Sequence, residues 1–387
     1  MAAAGTLAGG WAGNSAAVSA GSKTGTAGTA GARRFRGLVP ADLAACSGAA
    51  AFLQSGFWGS FKARFGWNAR AFLADWGEGR IMPLLIIRRR LGLGVSFAYA
   101  PWGPELPPDF SAGERQAALE DLARALKELL PGDTAFVRFD PPWYTRGAAF
   151  PPPLQKPLVR AAADVQPPDS VVIDLDTSEA AILRGMKNKW RYNIRLAEKK
   201  GVSVRRAEAE ELPLFYRLYR ETARRDGIAI HSAEYYAALF AHSREWEGRD
   251  GSAGIRLYIA EYEGEALAAI ITLFRGGEAV YLYGASSDQR RNLMAPYALQ
   301  WKAIRDARDA GCLSYDLYGI PPGGDPSHPM AGLYRFKTGF GGSVIHRPGS
   351  WDLAYKPLTA ALFRTAEGLR KLLTKARKRP RKKTAPL

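Results

Sequence analysis

The chain has 387 residues, 47% of them hydrophobic, which is enough for two domains, or one duplicated domain, with substantial cores. A formal net charge of +17 points to a polyanionic partner, nucleic acid or an anionic membrane surface, without choosing between them. Two distant cysteines, Cys46 and Cys312, and four scattered histidines suggest neither a disulfide framework nor a metal cluster, and no uncharged apolar run is long enough to span a membrane.

Residues 1–34 are rich in Ala, Gly, Ser and Thr and lack the charged start and apolar core of a secretory signal, so they read as a disordered tail or as sequence ahead of the true start. Folded sequence is expected from Phe35. Ala51 to Lys62 reads as an amphipathic helix or turn. Ala69–Ala74, the Gly77-Glu-Gly79 turn and Ile81–Arg89 read as a hairpin, and Val95–Ala100 as a further strand. Glu114–Leu130 predicts a helix with Leu119, Leu122, Leu126 and Leu130 near one face. Ala135–Asp140 predicts a strand, stopped by Pro141-Pro142. These make a first unit over 35–150, and the Pro-rich run over 151–170 reads as a crossover.

Val171–Leu175 is strand-like, and a single helix is expected over Glu179–Lys200. Its apolar stripe is Ile182, Met186, Trp190, Ile194 and Ala197. Arg184, Lys187, Arg191, Arg195 and Lys199 form a neighbouring basic stripe without an acid. That stripe reads equally as a solvated face or as a contact for the phosphates of RNA or a nucleotide precursor. Helices over Glu210–Arg225 and from Ile230 precede a second meander, Leu257–Tyr262, Ala266–Phe274 and Ala279–Gly284. Val280 and Leu282 alternate with Tyr281 and Tyr283, as in a half-buried strand. A helix opened by Pro296 and stopped at Gly311, a strand over Leu313–Tyr318, a Gly/Pro loop and a Phe-Lys segment complete a second unit over 171–352. Residues 353–387 read as a basic helix and tail.

The two units repeat one order: helices, three-strand meander, loop, helix, strand. The fold class expected is α/β (α+β), two tandem units of mixed sheet with flanking helices. This order resembles the acetyltransferase-like (GNAT) domain. Tyr281-Leu-Tyr-Gly-Ala-Ser286, Met294-Ala-Pro-Tyr297, Tyr315-Asp-Leu-Tyr-Gly-Ile320 and Gly332-Leu-Tyr-Arg-Phe-Lys-Thr-Gly-Phe-Gly-Gly342 resemble the C-terminal signature of the Fem (FemABX) family. The segment around Lys62 and the run Met186–Arg195 resemble two further blocks of that family. Its members are peptidoglycan bridge-forming aminoacyltransferases that pair two GNAT-like domains. Without a long heptad insertion, this chain is similar to the compact FemX-like type.

A coenzyme A acyltransferase of this fold needs a Gly-rich turn after its fourth strand, where backbone N–H groups approach the pyrophosphate. Here that place holds Ser287–Ala295 in one unit and Pro101-Trp-Gly-Pro104 in the other, so a different acyl donor fits better. The resemblance implies aminoacyl-tRNA as donor and no cofactor. It implies as acceptor the side-chain amine of the stem-peptide diamino acid in lipid II or UDP-MurNAc-pentapeptide, with Gly, Ala or Ser transferred. It also implies Lys337 as catalytic or phosphate-binding, and Lys62, Tyr235 and one of Tyr281 or Tyr283 as substrate-binding, with Phe336 beside Lys337. His231 stands where compact members carry an arginine. Asp140, at its strand end, reads as a base or amine-orienting group, or as a simple strand-end cap. A cytoplasmic protein is expected, with peripheral contact at an anionic membrane face left open. The rival readings are a coenzyme A-dependent N-acyltransferase and a non-catalytic tRNA- or membrane-binding module.

Overall fold

The computed structural model describes residues 35–92, 94–321 and 330–377, the side chains of 372–377 apart. The tail expected over residues 1–34, most of the Gly/Pro loop and the basic run from Lys378 onward lie outside the described residues.

Strand β1 (Gly37–Ala41) leads to helix α1 (Gly56–Ala63), which starts where the Ser55 hydroxyl accepts from the Trp58 N–H. Strands β2 (Asn68–Asp75), β3 (Ile81–Gly92) and β4 (Val95–Ala100) form the expected meander. Helix α2 (Ala112–Leu129) begins earlier than the expected Glu114 because Ser111 and Glu114 close a capping box. Strand β5 (Thr134–Phe139) then runs parallel to β4.

The crossover carries two short strands, β6 (Thr145–Arg146) and β7 (Val159–Arg160), before β8 (Asp169–Asp174). The helix expected in one piece over Glu179–Lys200 is two, α3 (Glu179–Gly185) and α4 (Asn188–Lys199). Met186 and Lys187 between them are extended, with ψ of 151° and 144°. The cause is tertiary: the Lys187 N–H donates to the Gly339 carbonyl at 3.0 Å instead of continuing the helical ladder.

Strand β9 (Ser203–Ala207) and helices α5 (Leu212–Asp226) and α6 (Ala233–Glu245) precede the second meander. Its strands are β10 (Gly254–Tyr262), β11 (Glu265–Arg275) and β12 (Glu278–Ser286). Helix α7 (Ala295–Asp309) carries Pro296 in its first turn, where a missing N–H costs nothing. Strand β13 (Ser314–Asp316), helix α8 (Ala331–Thr338), strands β14 (Ser343–His346) and β15 (Trp351–Ala354), and helix α9 (Pro357–Arg377) close the chain.

Among the described residues, one sheet has the order β1-β2-β3-β4-β5-β15-β7 and the other β6-β14-β8-β13-β12-β11-β10-β9. Each holds the meander and one parallel strand of one repeat, so the architecture is two acetyltransferase-like units in tandem. The chain does not separate them at Asp352, as the sequence suggested. Asp352 lies inside β15, which pairs with β5 in the first sheet. Helix α9 follows it there, with Phe363 packed 5.2 Å from Phe136.

Two local features open the second sheet. Strand β12 pairs with β13 through Glu278, Ala279 and Val280, so among the described residues β12 from Tyr281 onward has no paired strand on that side. In the other direction Ile271 faces Tyr283 and Thr272 faces Tyr281, which leaves Leu282 as an extra residue, a β-bulge. The alternation expected of Val280–Tyr283 is thereby broken. Val280, Leu282 and Tyr283 pack toward α5 and α6, whereas Tyr281 packs toward α4 and α7.

Candidate functional site

The splayed end of β12 borders a cavity of about 1170 Å³. Its wall is formed by Tyr281–Ser286, the start of α7, the C-terminal end of α5, Tyr318-Gly319 and one side of α8. Lys337 on α8 lines it and is buried. The Lys337 Nζ donates to the carbonyls of Tyr318 at 3.1 Å and Gly319 at 2.9 Å, and lies 5.1 Å from the Tyr281 ring centre. Burial lowers its amine to about 7, with the Asp316 carboxylate pulling the other way. Among the described residues, two of the three N–H donors of the ammonium are used.

The acceptor carbonyl of Tyr318 is available because of its backbone. Tyr318 has φ 59°, a left-handed conformation costly for a residue with a side chain. The Asp316 carboxylate holds it by accepting the Tyr318 N–H at 2.7 Å. Asp316 is itself buried and also accepts from the Ser170 hydroxyl. In the sequence this segment stands out only as part of a family block, without a sign of a role for either residue.

Phe336 also lines the cavity, edge-on to Tyr297 at 5.3 Å and to Phe340 at 5.1 Å. Its carbonyl accepts the Trp190 indole N–H at 2.9 Å. The indole lies over Gly339 so closely that any Cβ there would overlap it. The break between α3 and α4, α8 and the Gly339 backbone are therefore one assembly. Lys337, expected in a closing Phe-Lys segment, stands on a helix whose end is clamped by Trp190.

Lys62, His231, Tyr235 and Tyr283 meet between α1 and α6. The Lys62 Nζ lies 5.3 Å from the Tyr235 ring centre and 5.6 Å from that of Trp58. Burial and the nearby Arg89 charge bring its amine down to about 8. His231 stacks one face on Tyr235 at 3.9 Å and exposes the other. Its pKa is lowered, first by that partial burial and then by Lys62. Tyr235 is buried against Phe61 and Phe65, and burial pushes its hydroxyl up to about 12. Tyr283 joins this cluster through a side-chain hydrogen bond with Tyr235 and an edge-on contact with Tyr236 at 5.1 Å, while Tyr281 stays with Lys337. The bulge at Leu282 thus sends the two tyrosines to different neighbourhoods.

Asp140 does not line the cavity. It is buried at the end of β5, where the Tyr99 and Ser350 hydroxyls and the Gln166 N–H donate to it. Burial raises its carboxyl to about 6 against the lowering effect of the Ser350 and Tyr99 bonds. Gln166 in turn accepts from the Tyr318 hydroxyl. The expected facing of Asp140 toward a substrate amine is replaced by an indirect link to Lys337 through Gln166 and Tyr318.

The five residues of the basic stripe are not all presented to solvent. Arg191 is turned onto α3, where it donates to the carbonyls of Leu183 and Arg184, each at 3.3 Å, and to that of Met186. It caps carbonyls left open by the helix break. Arg184, Lys187, Arg195 and Lys199 are exposed and lie outside the cavity. The cavity rim instead carries Arg224, Arg225, Arg290 and Arg291, none of which the sequence singled out. Among the described residues, no group of three or more His, Cys, Asp or Glu side chains is placed to hold a metal ion.

A sequence model of the FemAB family matches residues 154–243 and 254–368, more than half of the chain. A lipid II:glycine glycyltransferase of Staphylococcus saprophyticus is 25% identical over 55% of this chain, and the match spans 64% of that relative's length. The lipid II:glycine glycyltransferase of Staphylococcus haemolyticus is 22% identical over 84% of this chain and 92% of its own. The crystal structure of FemX shares the fold, with a TM-score of 0.68 at 19% identity over 84% of this chain and 97% of that one. The matched residues include α3, α4, α8 and Lys337, the parts that build the cavity wall and its clamp, and the chain belongs to the FemAB family.

Proposed function

We propose that this protein transfers an amino acid from aminoacyl-tRNA to the side-chain amine of the diamino acid in a peptidoglycan precursor, lipid II or UDP-MurNAc-pentapeptide. The observation that carries the reading is Lys337, a buried amine on the wall of a large cavity, held there by two backbone carbonyls. Family membership supports a transferase of this kind, and the relatives' names make lipid II the first acceptor to try and glycine the first of Gly, Ala and Ser.

In the reaction the acceptor nitrogen attacks the ester carbonyl carbon of the charged tRNA. A C–N bond forms, the C–O bond to the ribose breaks, and the proton lost by the amine balances the one gained by the ribose oxygen. A lysine-like amine is mostly protonated at neutral pH, with a pKa of about 10.4, so it must be deprotonated first. The Lys337 ammonium stabilises the developing oxyanion or a precursor phosphate, and Tyr281 and Phe336 border the same space. Lys62, Tyr235, Tyr283 and His231 form an acceptor-binding cluster beside it. Arg184, Lys187, Arg195 and Lys199 offer an exposed basic face to the tRNA backbone, and Arg191 is assigned to the fold. The protein acts on the cytoplasmic side, where charged tRNA is found.

Label transfer from tRNA charged separately with Gly, Ala or Ser, to lipid-linked and to UDP-linked acceptors, tests this reading. Transfer to at least one acceptor is expected. Failure of every combination, together with saturable binding of acetyl-coenzyme A, would replace it with a coenzyme A-dependent acyltransfer. Salt-sensitive tRNA binding without turnover would reduce the protein to a binding module.

A further inference from the structure

Helix α9 has two apolar faces, and the described residues cover only one. On the inner face Ala360 is buried, Phe363 packs on Phe97 and Phe136, and Glu367 binds Arg138. On the outer face Leu358, Leu362 and Leu369 are 83%, 72% and 55% exposed. At helical spacing the three fall in a stripe about 40° wide, opposite Glu367. The exposed Ala361 and Thr365 adjoin it, and no charged residue interrupts it. Single exposed leucines are ordinary, but three aligned on one helix require a reason.

Charge identifies the occupant. No acidic residue follows Glu367 in the sequence, whereas nine Lys and Arg residues follow between Arg370 and Lys383. An RNA would use those cations and leave the leucines in water. A second copy of this chain would cover the leucines while bringing two basic runs together. An anionic lipid surface takes both features at once. We propose that α9 is an interfacial helix that lies on an anionic bilayer, with Leu358, Leu362 and Leu369 inserted at the headgroup–acyl boundary and the positive charge of the following sequence adding electrostatic attraction. The inference rests on this helix and stands independently of the transfer chemistry.

Flotation of the full chain with phosphatidylglycerol-containing vesicles and with pure phosphatidylcholine vesicles tests it. The wild-type protein is expected on the anionic vesicles, less so at high salt. The triple variant Leu358→Ser/Leu362→Ser/Leu369→Ser is expected to partition at least about tenfold more weakly. Its melting temperature should be unchanged, because none of the three belongs to a core cluster. Leu362→Glu alone provides a second measurement should the triple variant fold poorly. Equal vesicle binding by wild type and variants would overturn the proposal and leave only tail electrostatics. So would the absence of vesicle binding, whether accompanied by leucine-dependent dimerisation or by tRNA binding.

Discussion

Arg138 and Asp352, 214 residues apart in sequence, face each other across β5 and β15 and share hydrogen bonds of 2.7 and 3.0 Å. Both are buried, and Arg138 also binds Glu367 of α9 through bonds of 2.8 and 3.0 Å. One guanidinium therefore fixes the last strand and the last helix to the first sheet. Arg138→Met would leave the Asp352 carboxylate buried without its partner. A loss of about 3–5 kcal/mol is expected, the range for breaking a buried pair from one side. Urea unfolding measures it, and a loss under 1 kcal/mol would mean that water replaces the guanidinium.

Lys337 links stability to pH with a definite sign. Its amine lies near 7 in the folded chain, below the ordinary lysine value, so folding disfavours the charged form. The penalty is complete below about pH 7 and fades as pH rises toward the unfolded value near 10.4. Lys337→Met should therefore raise the melting temperature more at pH 6 than at pH 10. The same variant should lose about a hundredfold or more in transfer rate, the cost of one lost electrostatic contact to the transition state. Near-normal turnover would remove Lys337 from the chemistry.

Binding of an anionic acceptor should also depend on pH. An anion beside Lys337 raises its pKa, so binding draws a proton from solvent. Affinity should be fullest below about pH 7 and decline above it, as the free amine becomes neutral. Calorimetry in two buffers of different ionisation enthalpy would register the proton uptake. Pairs of titrations with identical heats would show that the ligand does not sense this amine.

Arg191 and Arg195 share a helix but should respond differently to replacement. Arg191→Ala uncovers the carbonyls of Leu183, Arg184 and Met186, and a loss of about 1–3 kcal/mol is expected. Arg195→Ala should leave stability within about 0.5 kcal/mol, as for other exposed positions. It should instead reduce the salt dependence of tRNA binding by about one phosphate contact. Thermal unfolding and a salt series on both variants separate the roles. The same outcome for both would contradict the structural distinction.

What was legible in the sequence was what neighbouring residues decide. The two meanders, the start of α7 at Pro296 and its stop before Gly311 follow from local period and turn chemistry. Distant partners decided the rest. The alternation of Val280–Tyr283 pointed to one face for both tyrosines, but the register with β11 inserts a bulge and parts them. The stripe from Arg184 to Lys199 looked continuous because the Gly339 carbonyl that breaks its helix lies far along the chain. Nothing in the letters around Tyr318 signals a left-handed backbone, since the Asp316 contact that holds it depends on where β13 ends. Lys337 was found through its family block, whereas its helix, its two carbonyl partners and its burial required the fold.

The return of β15 to β5 also has a consequence for synthesis. The ribosome delivers β1 to β5 first, but the strand that covers the open side of β5 emerges only after the whole second meander. Until then the nascent first sheet exposes an unpaired edge and the uncompensated Arg138, the kind of surface that recruits chaperones or aggregates. A transcript truncated before Trp351 should therefore yield insoluble protein, although every residue of the cavity precedes the cut. The first half to be made is the last to be finished.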